Sequence, residues 1–334
     1  MQRVTVVGAG SWGTTLASIA ATSVETVLWA RRSALANSIN ETGQNSDYLP
    51  GHDLPSRLSA TSDLSDAVRG SDAVIMAVPS HGFRGVFRSL VPAIADTTPI
   101  ISLTKGIEEG TLASMTQIVE EEASRHDATR TGVLTGPNLA GEIIAGQPTA
   151  AVIAMGHEPT AREIQAVLMG PTFRVYTNDD VVGCELAGAM KNVMAIAAGM
   201  SDGLGFGDNT RAALLTRALA ELTRLGIALG GRPATFAGLA GMGDLIATCS
   251  SIKSRNHRVG AGLARGKSLS EVISEMRMVA EGVKTTRGVL GLAKTAQVEM
   301  PIAEHVALVL YEGMPPRDAV LSLMTREARS EHDD

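Results

Sequence analysis

The sequence predicts an α/β fold in which a doubly wound, mainly parallel sheet is followed by a second, all-helical domain. In the first half, short apolar and β-branched runs alternate with helical stretches, a pattern typical of a parallel sheet with helices on both faces. After about residue 178 the strand signals stop and only helical periodicity remains. Because 334 residues are enough for two cores, we predict domains at 1–180 and 181–334.

The first predicted element is a buried strand that ends in a glycine-rich turn. Residues 4–7 are mostly valine, a helix is predicted at 14–21, and Gly8, Gly10 and Gly13 are spaced between them. The first glycine permits a tight turn, the second lets a pyrophosphate approach the backbone, and the third lets helix pack on strand. Free N–H groups at the helix N-terminus would face the phosphates. With a strand following, this spacing predicts a Rossmann-type dinucleotide-binding unit; a glycine-rich turn without ligand is the alternative.

The end of the second predicted strand, at 26–30, bears on the choice of nucleotide. A site that prefers NAD usually places an acidic residue here to bind the ribose 2′-hydroxyl. The strand is instead followed by Arg31 and Arg32, and Glu41 is too far along the chain. Because guanidinium groups pair with phosphate, we predict NADP(H) as the preferred cofactor, or dual use of NAD(P)(H). The alternative is that one or both arginines are solvated surface charges.

Composition excludes several classes of protein. The net charge is −6 and aromatic residues make up 3%, so neither a basic surface nor stacking side chains favour a nucleic-acid partner. No apolar run approaches about 18 residues, and the chain enters its first strand at once, which predicts no membrane span and no secretory signal. Cys184 and Cys249 lack metal or redox spacing. Their apolar surroundings favour reduced core thiols in a cytoplasmic protein.

The other predicted strands of the first half place polar loops at one edge of the sheet. Strands are predicted at 74–78, 100–103, 131–134 and 150–154, with helices at 114–124 and 160–168. The loops at 79–81, 105–106 and 136–138 each follow a strand end. Ligands of such sheets bind beyond the carboxyl ends of the strands. We therefore expect these loops to meet at one crevice.

The second half is predicted to consist of helices, at 181–200, 210–229, 234–239, 268–274, 285–296 and 302–311. The helix at 210–229 has the clearest pattern, because its leucines recur at helical spacing along one side. Asp208 and Asn209 offer an N-cap for it, and Gly230 offers a stop. Apolar helices of this kind favour a homodimer formed through the second domain.

The helix around residues 186–198 carries the strongest chemical signal of the second half. It is apolar on nearly every face, which predicts a buried central helix, yet Lys191 and Asn192 interrupt it. A buried ammonium is costly without a partner, and small residues beside it leave room for a ligand. Lys191 therefore suits a general acid or base acting on an alcohol or carbonyl. A structural ion pair, or an ammonium that reaches solvent, is an equal alternative from the helix alone.

Two further groups of polar residues follow. Asp244 lies in a glycine-flanked turn, where it can cap the next helix or hold Lys191 by charge. Ser254, Arg255 and Asn256 then supply a hydroxyl, a guanidinium and an amide in succession. Such a set suits a phosphate group, because arginine binds phosphate oxygens in bidentate fashion. A solvated loop is the alternative for residues 254–256.

Taken together, these motifs resemble the bacterial NAD(P)-dependent glycerol-3-phosphate dehydrogenases. The resemblance runs from the first strand to about residue 313, and its most specific stretches are 190–209, 236–244 and 254–256. It implies reversible reduction of dihydroxyacetone phosphate to sn-glycerol 3-phosphate, a small phosphorylated substrate, in support of phospholipid synthesis. It also implies that Lys191 is the acid or base of the reaction.

The resemblance implies a role for each matching position of this sequence. The catalytic residues would be Lys191, Lys105 and Asp244. The substrate-binding residues would be Lys105, Gly136, Asn138, Lys191, Asp244, Thr248, Ser254, Arg255 and Asn256. The cofactor-binding residues would be Gly8, Gly10, Ser11, Trp12, Gly13, Arg31, Arg32, Lys105, Ala140, Arg255, Val279 and Glu281. No metal is expected.

The sequence departs from the family pattern at two places. Asn138 stands where the family usually has serine, which keeps a donor and an acceptor but changes their geometry, and Lys253 replaces a commonly apolar residue. Two other functions remain open at this point. A different two-domain dehydrogenase would prefer a carboxylate substrate and would not need Arg255. A redox-sensing regulatory protein would bind nucleotide without turnover, and would not need a phosphate-binding set.

Overall fold

The computed structural model of the protein describes residues 1–276, 280–327 and 330. The chain divides into two compact units, the first formed by Met1–Thr104 and Ser114–Val181, the second by Lys105–Ala113 and Val182–Asp334. The predicted boundary placed residues 105–113 in the first domain, whereas the structure groups them with the second unit. The physical reason is Ile107, which is 3% exposed within the helical core and packs against Gly288.

The first unit is built around one eight-stranded sheet. Its strands are β1 Arg3–Val7, β2 Glu25–Trp29, β3 Leu58–Thr61, β4 Ala73–Met76, β5 Ile100–Ser102, β6 Thr131–Thr135, β7 Thr149–Met155 and β8 Phe173–Asn178. The order across the sheet is β3-β2-β1-β4-β5-β6-β7-β8. Only the β6–β7 pair is antiparallel, so the predicted, mainly parallel sheet is confirmed.

Seven α-helices of the first unit connect and cover these strands: α1 Ser11–Ala20, α2 Ser33–Thr42, α3 Leu64–Val68, α4 Ser80–Leu90, α5 Met115–Glu122, α6 Ala140–Ile144 and α7 Glu158–Leu168. The strand order reverses between β1 and β4, which are neighbours in the sheet. In doubly wound sheets the ligand crevice lies outside the carboxyl ends of the strands at this reversal. The glycine-rich turn that follows β1 therefore occupies the expected position.

The described part of the second unit contains helices and no strand. They are α8 Val181–Gly203, α9 Asp208–Ala228, α10 Pro233–Phe236, α11 Asp244–Ser250, α12 Arg255–Ala264, α13 Leu269–Ser274, α14 Glu281–Ala296, α15 Pro301–Tyr311 and α16 Pro316–Met324. The predicted all-helical second half is thus confirmed. The predicted N-cap of α9 was wrong, because the helix begins at Asp208 and the capping position is Gly207, which has no side chain to accept a hydrogen bond.

Helix α8 is the central helix of the second unit. By length and composition it is the one described helix that could cross a membrane, with a mean hydropathy of 1.4 in its most apolar window. However, 83% of that window is buried inside the structure. A Cβ added to Gly199 would lie 1.9 Å from the carbonyl oxygen of His257 in α12. A Cβ on Gly260 would lie equally close to the Ile196 carbonyl oxygen, so α8 and α12 are in backbone contact.

A buried carboxyl on α9 links stability to pH. Glu221 is 3% exposed, and its Oε1 accepts a 2.8 Å hydrogen bond from the backbone N–H of Ile302, in the first turn of α15. Burial raises the pKa of Glu221 to about 7. Because the folded protein holds this proton more tightly than the unfolded chain, the contribution of Glu221 to stability is full below about pH 4.5 and falls as the pH rises to about 7.

We predict that Glu221→Gln stabilises the protein at pH 8 by up to about 3 kcal/mol and changes stability little at pH 5, since one pKa unit corresponds to about 1.4 kcal/mol. Equilibrium urea unfolding at both pH values measures this difference. Glu312→Gln removes an exposed carboxylate just beyond α15 and serves as the control. Parallel pH dependences for the wild type and Glu221→Gln would contradict the prediction.

Candidate functional site

The three glycines after β1 have distinct environments. Gly8 has a φ of +126°, and a Cβ there would lie 2.7 Å from the Ala77 carbonyl oxygen, so the turn requires glycine. A Cβ on Gly13 would lie 2.0 Å from the Gly8 carbonyl oxygen, because the helix packs tightly on the strand. Gly10 has nothing within 4 Å of an added Cβ. Its open face leaves the backbone accessible, as an approaching pyrophosphate requires.

The start of α1 fits the same ligand. Its capping position is Gly10, which is extended and provides no side-chain hydrogen bond to the first turn. The N–H groups of that turn are therefore left to other acceptors, and a helix N-terminus attracts anions. Ser11 lies in this turn, and its Oγ donates a 2.9 Å hydrogen bond to the Tyr48 carbonyl oxygen. Trp12 follows, with its ring centroid 6.4 Å from that of Phe173.

Arg31 and Arg32 follow the end of β2 after Ala30 and are both exposed. The Arg32 guanidinium donates a hydrogen bond to the carboxylate of Asp47. The sequence has no acidic residue at the strand end itself, and Asp47 lies 15 residues beyond Arg32. The structure therefore changes the electrostatics expected at the end of β2, because one of the two arginines has an acidic partner.

The loop after β6 carries the remaining predicted residues of the first unit. Gly136 has a φ of +124°, which favours glycine. Asn138 has both amide atoms buried without a hydrogen-bond partner among the described residues. Ala140 begins α6, and its carbonyl oxygen accepts a 3.4 Å hydrogen bond from Thr15 in α1, which ties the end of this loop to the helix after the glycine-rich turn.

In the second unit, one carboxylate holds two ammonium groups. Asp244 is 1% exposed; its Oδ1 lies 2.6 Å from Lys191 Nζ and its Oδ2 lies 2.6 Å from Lys105 Nζ. Lys191 Nζ also donates a 2.6 Å hydrogen bond to the Oγ1 of Thr248, one turn further along α11. Of the two readings of Asp244 left open by the sequence, the structure shows charge pairing. Its side chain does not cap α11, because it is the first residue of that helix rather than its N-cap.

Burial and charge act in opposite directions on this cluster. Burial lowers the pKa of Lys105 to about 8, against the attraction of Asp244 and with a further lowering by the charge of Lys191. For Asp244, burial works to raise the pKa, but the two lysines outweigh it and hold the carboxyl below its ordinary value. Two lysines share this one carboxylate, an arrangement that suits an anionic ligand.

A chain of amide hydrogen bonds connects this cluster to α12 and α14. Asn192 Nδ2 donates to the Lys105 carbonyl oxygen at 3.1 Å, and Asn256 Nδ2 donates to Asn192 Oδ1 at 2.9 Å. The Gly282 N–H then donates to Asn256 Oδ1 at 2.9 Å. Asn192 was not among the predicted site residues, although it stands beside Lys191 in the sequence. The signal that could have identified Asn192 is a polar amide in an otherwise apolar helix.

The predicted phosphate-binding residues lie at the start of a helix rather than in a solvated loop. Ser254 is the N-cap of α12, and its Oγ accepts a hydrogen bond from the His257 N–H. Arg255 is the first residue of α12 and is exposed, whereas Asn256 is buried. Glu281 begins α14, next to Gly282. Val279 lies outside the described residues.

Within the described ranges, no three or more His, Cys, Asp and Glu side chains are grouped as metal ligands would be. Cys184 and Cys249 are buried and form no disulfide with each other. Burial raises the pKa of Cys249 to about 12, which keeps its thiol protonated at neutral pH.

Comparison with known proteins identifies a family for both halves of the chain. Residues 3–161 match the model for the N-terminus of NAD-dependent glycerol-3-phosphate dehydrogenase, and residues 180–321 match the model for its C-terminus. The chain belongs to the NAD-dependent glycerol-3-phosphate dehydrogenase family. The resemblance found in the sequence is thereby confirmed.

Individual members of this glycerol-3-phosphate dehydrogenase family are similar over the whole chain. The chain is 49% identical over 330 residues to a glycerol-3-phosphate dehydrogenase (NAD(P)+) of Streptomyces avermitilis, covering 98% of each. It is also 49% identical to the enzyme of the same name from Geobacter sp., covering 99% of each. A crystal structure of glycerol-3-phosphate dehydrogenase from Coxiella burnetii matches with a TM-score of 0.93 at 37% identity, covering 97% of this chain and 99% of that one. The protein is therefore an NAD(P)-dependent dehydrogenase.

Proposed function

We propose that this protein interconverts dihydroxyacetone phosphate and sn-glycerol 3-phosphate with a nicotinamide nucleotide, and that Lys191 is its general acid and base. The observation that carries this proposal is the Asp244 carboxylate, whose two oxygens lie 2.6 Å from the Nζ atoms of Lys191 and Lys105. Membership of the glycerol-3-phosphate dehydrogenase family supports the reaction. The burial of Lys191 and its pairing with Asp244 support the assignment of the proton transfer.

The first unit supports the nucleotide part of this proposal. The open face at Gly10 and the uncapped first turn of α1 fit a pyrophosphate, while Ser11, Trp12, Arg32 and the loop at Ala140 would line the rest of the nucleotide. When bound, the nicotinamide supplies the hydride in reduction and accepts it in oxidation. The two arginines after β2 support NADP(H), or both nucleotides, as the cofactor.

The second unit supports the proton transfer and charge stabilisation. In reduction, Lys191 would donate a proton to the substrate oxygen, and in oxidation it would remove that proton. Asp244 and Thr248 orient its ammonium through hydrogen bonds at 2.6 Å. The positive charge of Lys105 would favour the developing alkoxide, because fixed charges act strongly in a site that excludes water. Asp244 keeps both ammonium groups compatible with burial.

The start of α12 supports recognition of the substrate phosphate. Arg255 contributes a guanidinium, and the helix N-terminus adds a partial positive charge. The Ser254 hydroxyl accepts the capping bond from His257 and retains its own proton to donate to an oxygen. Asn256 already bonds Asn192 and Gly282 through its two amide atoms. We therefore assign Asn256 mainly to positioning, with Ser254 and Arg255 as the phosphate contacts.

Several further properties belong to the same proposal. The reaction needs no metal, and its product would supply glycerophospholipid synthesis in the cytoplasm. The chain would act without a membrane span, which the burial of α8 supports. Its apolar helical unit supports a homodimer. The net charge of −6 supports a small-molecule partner over nucleic acid.

Initial rates of NADPH and NADH oxidation, with dihydroxyacetone phosphate and with unphosphorylated dihydroxyacetone, test the proposal. We expect fast turnover only with the phosphorylated ketone, because Arg255 and its neighbours bind the phosphate. The ratio of the two nucleotide rates reports on Arg31 and Arg32. Nucleotide binding without turnover of either ketone would contradict the proposed reaction.

A further inference from the structure

A short turn at residues 45–48, which we call the 45–48 turn, is fastened to the glycine-rich loop. The Asn45 side chain is fully buried, and its Nδ2 donates to the Ala9 carbonyl oxygen at 3.0 Å and to the Thr14 hydroxyl at 2.8 Å. At the other end of the turn, the Tyr48 carbonyl oxygen accepts the hydrogen bond from Ser11. Both ends of the turn are thus held by the glycine-rich loop and the first turn of α1.

These two attachments fix the position of Asp47. The residue lies between the buried anchor at Asn45 and the bond at Tyr48, and its carboxylate accepts a hydrogen bond from Arg32. Arg32 itself is the N-cap residue of α2, three residues beyond the end of β2. Exposed ion pairs usually contribute little, partly because two long side chains must be ordered. Here the backbone around Asp47 is held on both sides, which lowers part of that ordering cost.

In dinucleotide-binding folds, the end of the second strand recognises the ribose of the nucleotide. At the end of the second strand, a carboxylate accepts a hydrogen bond from the ribose 2′-hydroxyl of NAD, whereas an arginine pairs with the 2′-phosphate of NADP. This chain places both groups there, the arginine from the end of β2 and the carboxylate from the 45–48 turn. We infer that Asp47 sets the cofactor selectivity of this site, by competing with a 2′-phosphate for Arg32 and by accepting the 2′-hydroxyl of NAD.

The inference rests on the proposed function, because it deepens the assignment of the nucleotide site. It favours dual use over a preference for NADP(H), the two alternatives that the arginines alone left open. A 2′-phosphate must displace Asp47 from Arg32 and remain close to a like charge, which weakens its binding. A 2′-hydroxyl carries no charge and can donate to Asp47 without breaking the pair. Asp47 therefore shifts the site toward use of both nucleotides.

Asp47→Asn tests this role, since it removes the charge and preserves the shape. Calorimetric titration with adenosine 2′,5′-bisphosphate and with adenosine 5′-monophosphate measures the recognition of the 2′-phosphate without any turnover. We expect the variant to bind the 2′,5′-bisphosphate about two- to fivefold more tightly and the monophosphate no more tightly, in keeping with one exposed charge pair. The ratio of kcat/KM for NADPH over NADH should rise by a similar factor.

The matched control is Glu41→Gln, which removes one exposed charge from α2 and has the same effect on net charge. The double variant Asp47→Asn with Arg32→Ala tests whether Asp47 acts through the guanidinium; if so, Asp47→Asn should have a smaller effect when Arg32 is absent. Equal Kd ratios in Asp47→Asn and the wild type would overturn the inference, as would an equal change in Glu41→Gln. If these binding results hold but dihydroxyacetone phosphate is not reduced, the proposed function fails and the role of Asp47 stands.

Discussion

Lys191→Ala is expected to lower kcat for dihydroxyacetone phosphate reduction by at least about a hundredfold, because general acid–base catalysis typically contributes that much or more. Nucleotide affinity should remain, since the glycine-rich loop belongs to the first unit, whereas Lys191 belongs to the second. The variant retains the pair between Asp244 and Lys105, so one counter-charge still compensates the buried carboxylate. Steady-state rates and a fluorescence titration with NADPH measure the two quantities separately.

Two comparisons make this result specific to the ammonium group. Lys191→Met retains an aliphatic chain of similar volume, which separates the loss of the proton donor from a packing defect. Lys294→Ala removes an exposed lysine in the last turn of α14 and should leave kcat unchanged. Near-normal turnover in Lys191→Ala or Lys191→Met would refute the role of Lys191 as acid and base.

Asp244→Asn is expected to destabilise the protein by about 3–5 kcal/mol and to abolish most activity. Removing one partner of a buried ion pair leaves the other charge uncompensated, and here a single carboxylate serves two ammonium groups. Without its attraction, the already low pKa of Lys105 should fall further below about 8. Urea unfolding midpoints and kcat at neutral pH measure the two effects.

Asp208→Asn is the matched control for this substitution. Asp208 also begins a helix and also pairs with a basic side chain, Arg211, but its side chain is 97% exposed. Exposed pairs contribute about 0–1 kcal/mol, so the control should change stability little. If Asp244→Asn were no more destabilising than Asp208→Asn, the role of Asp244 as the shared counter-ion of Lys105 and Lys191 would be contradicted.

Much of the nucleotide half was predictable because its signals are local. The turn at Gly8, Gly10 and Gly13 and the strands beside it depend on neighbours within a few residues, and the structure has them as predicted. Strands β3 and β8 were not predicted. Both are edge strands, and in β8 buried Phe173 and Val175 alternate with exposed Arg174 and Tyr176, so no continuous apolar run marks it.

The chemical cluster was predictable only in part, because its contacts are distant in sequence. Lys191 was identified from its setting in an apolar helix, but its partner lies 53 residues away, and Lys105 lies 139 residues from the same carboxylate. No spacing rule relates such positions, so the sequence left Asp244 between a cap and a counter-ion. Asp47 was missed for a related reason: a loop, not the strand itself, brings it to Arg32.

The helical unit is not formed by one continuous segment of the chain. Residues 105–113 belong to it although they interrupt the sequence of the first unit, and they bring Lys105 to Asp244 and Ile107 to Gly288. A fragment that begins at residue 182 would lack one of the two ammonium groups and would expose the apolar surface that Ile107 covers. Recombination between homologues at this point would likewise combine Lys105 from one parent with Asp244 from the other. A functional chimera must therefore exchange both segments together.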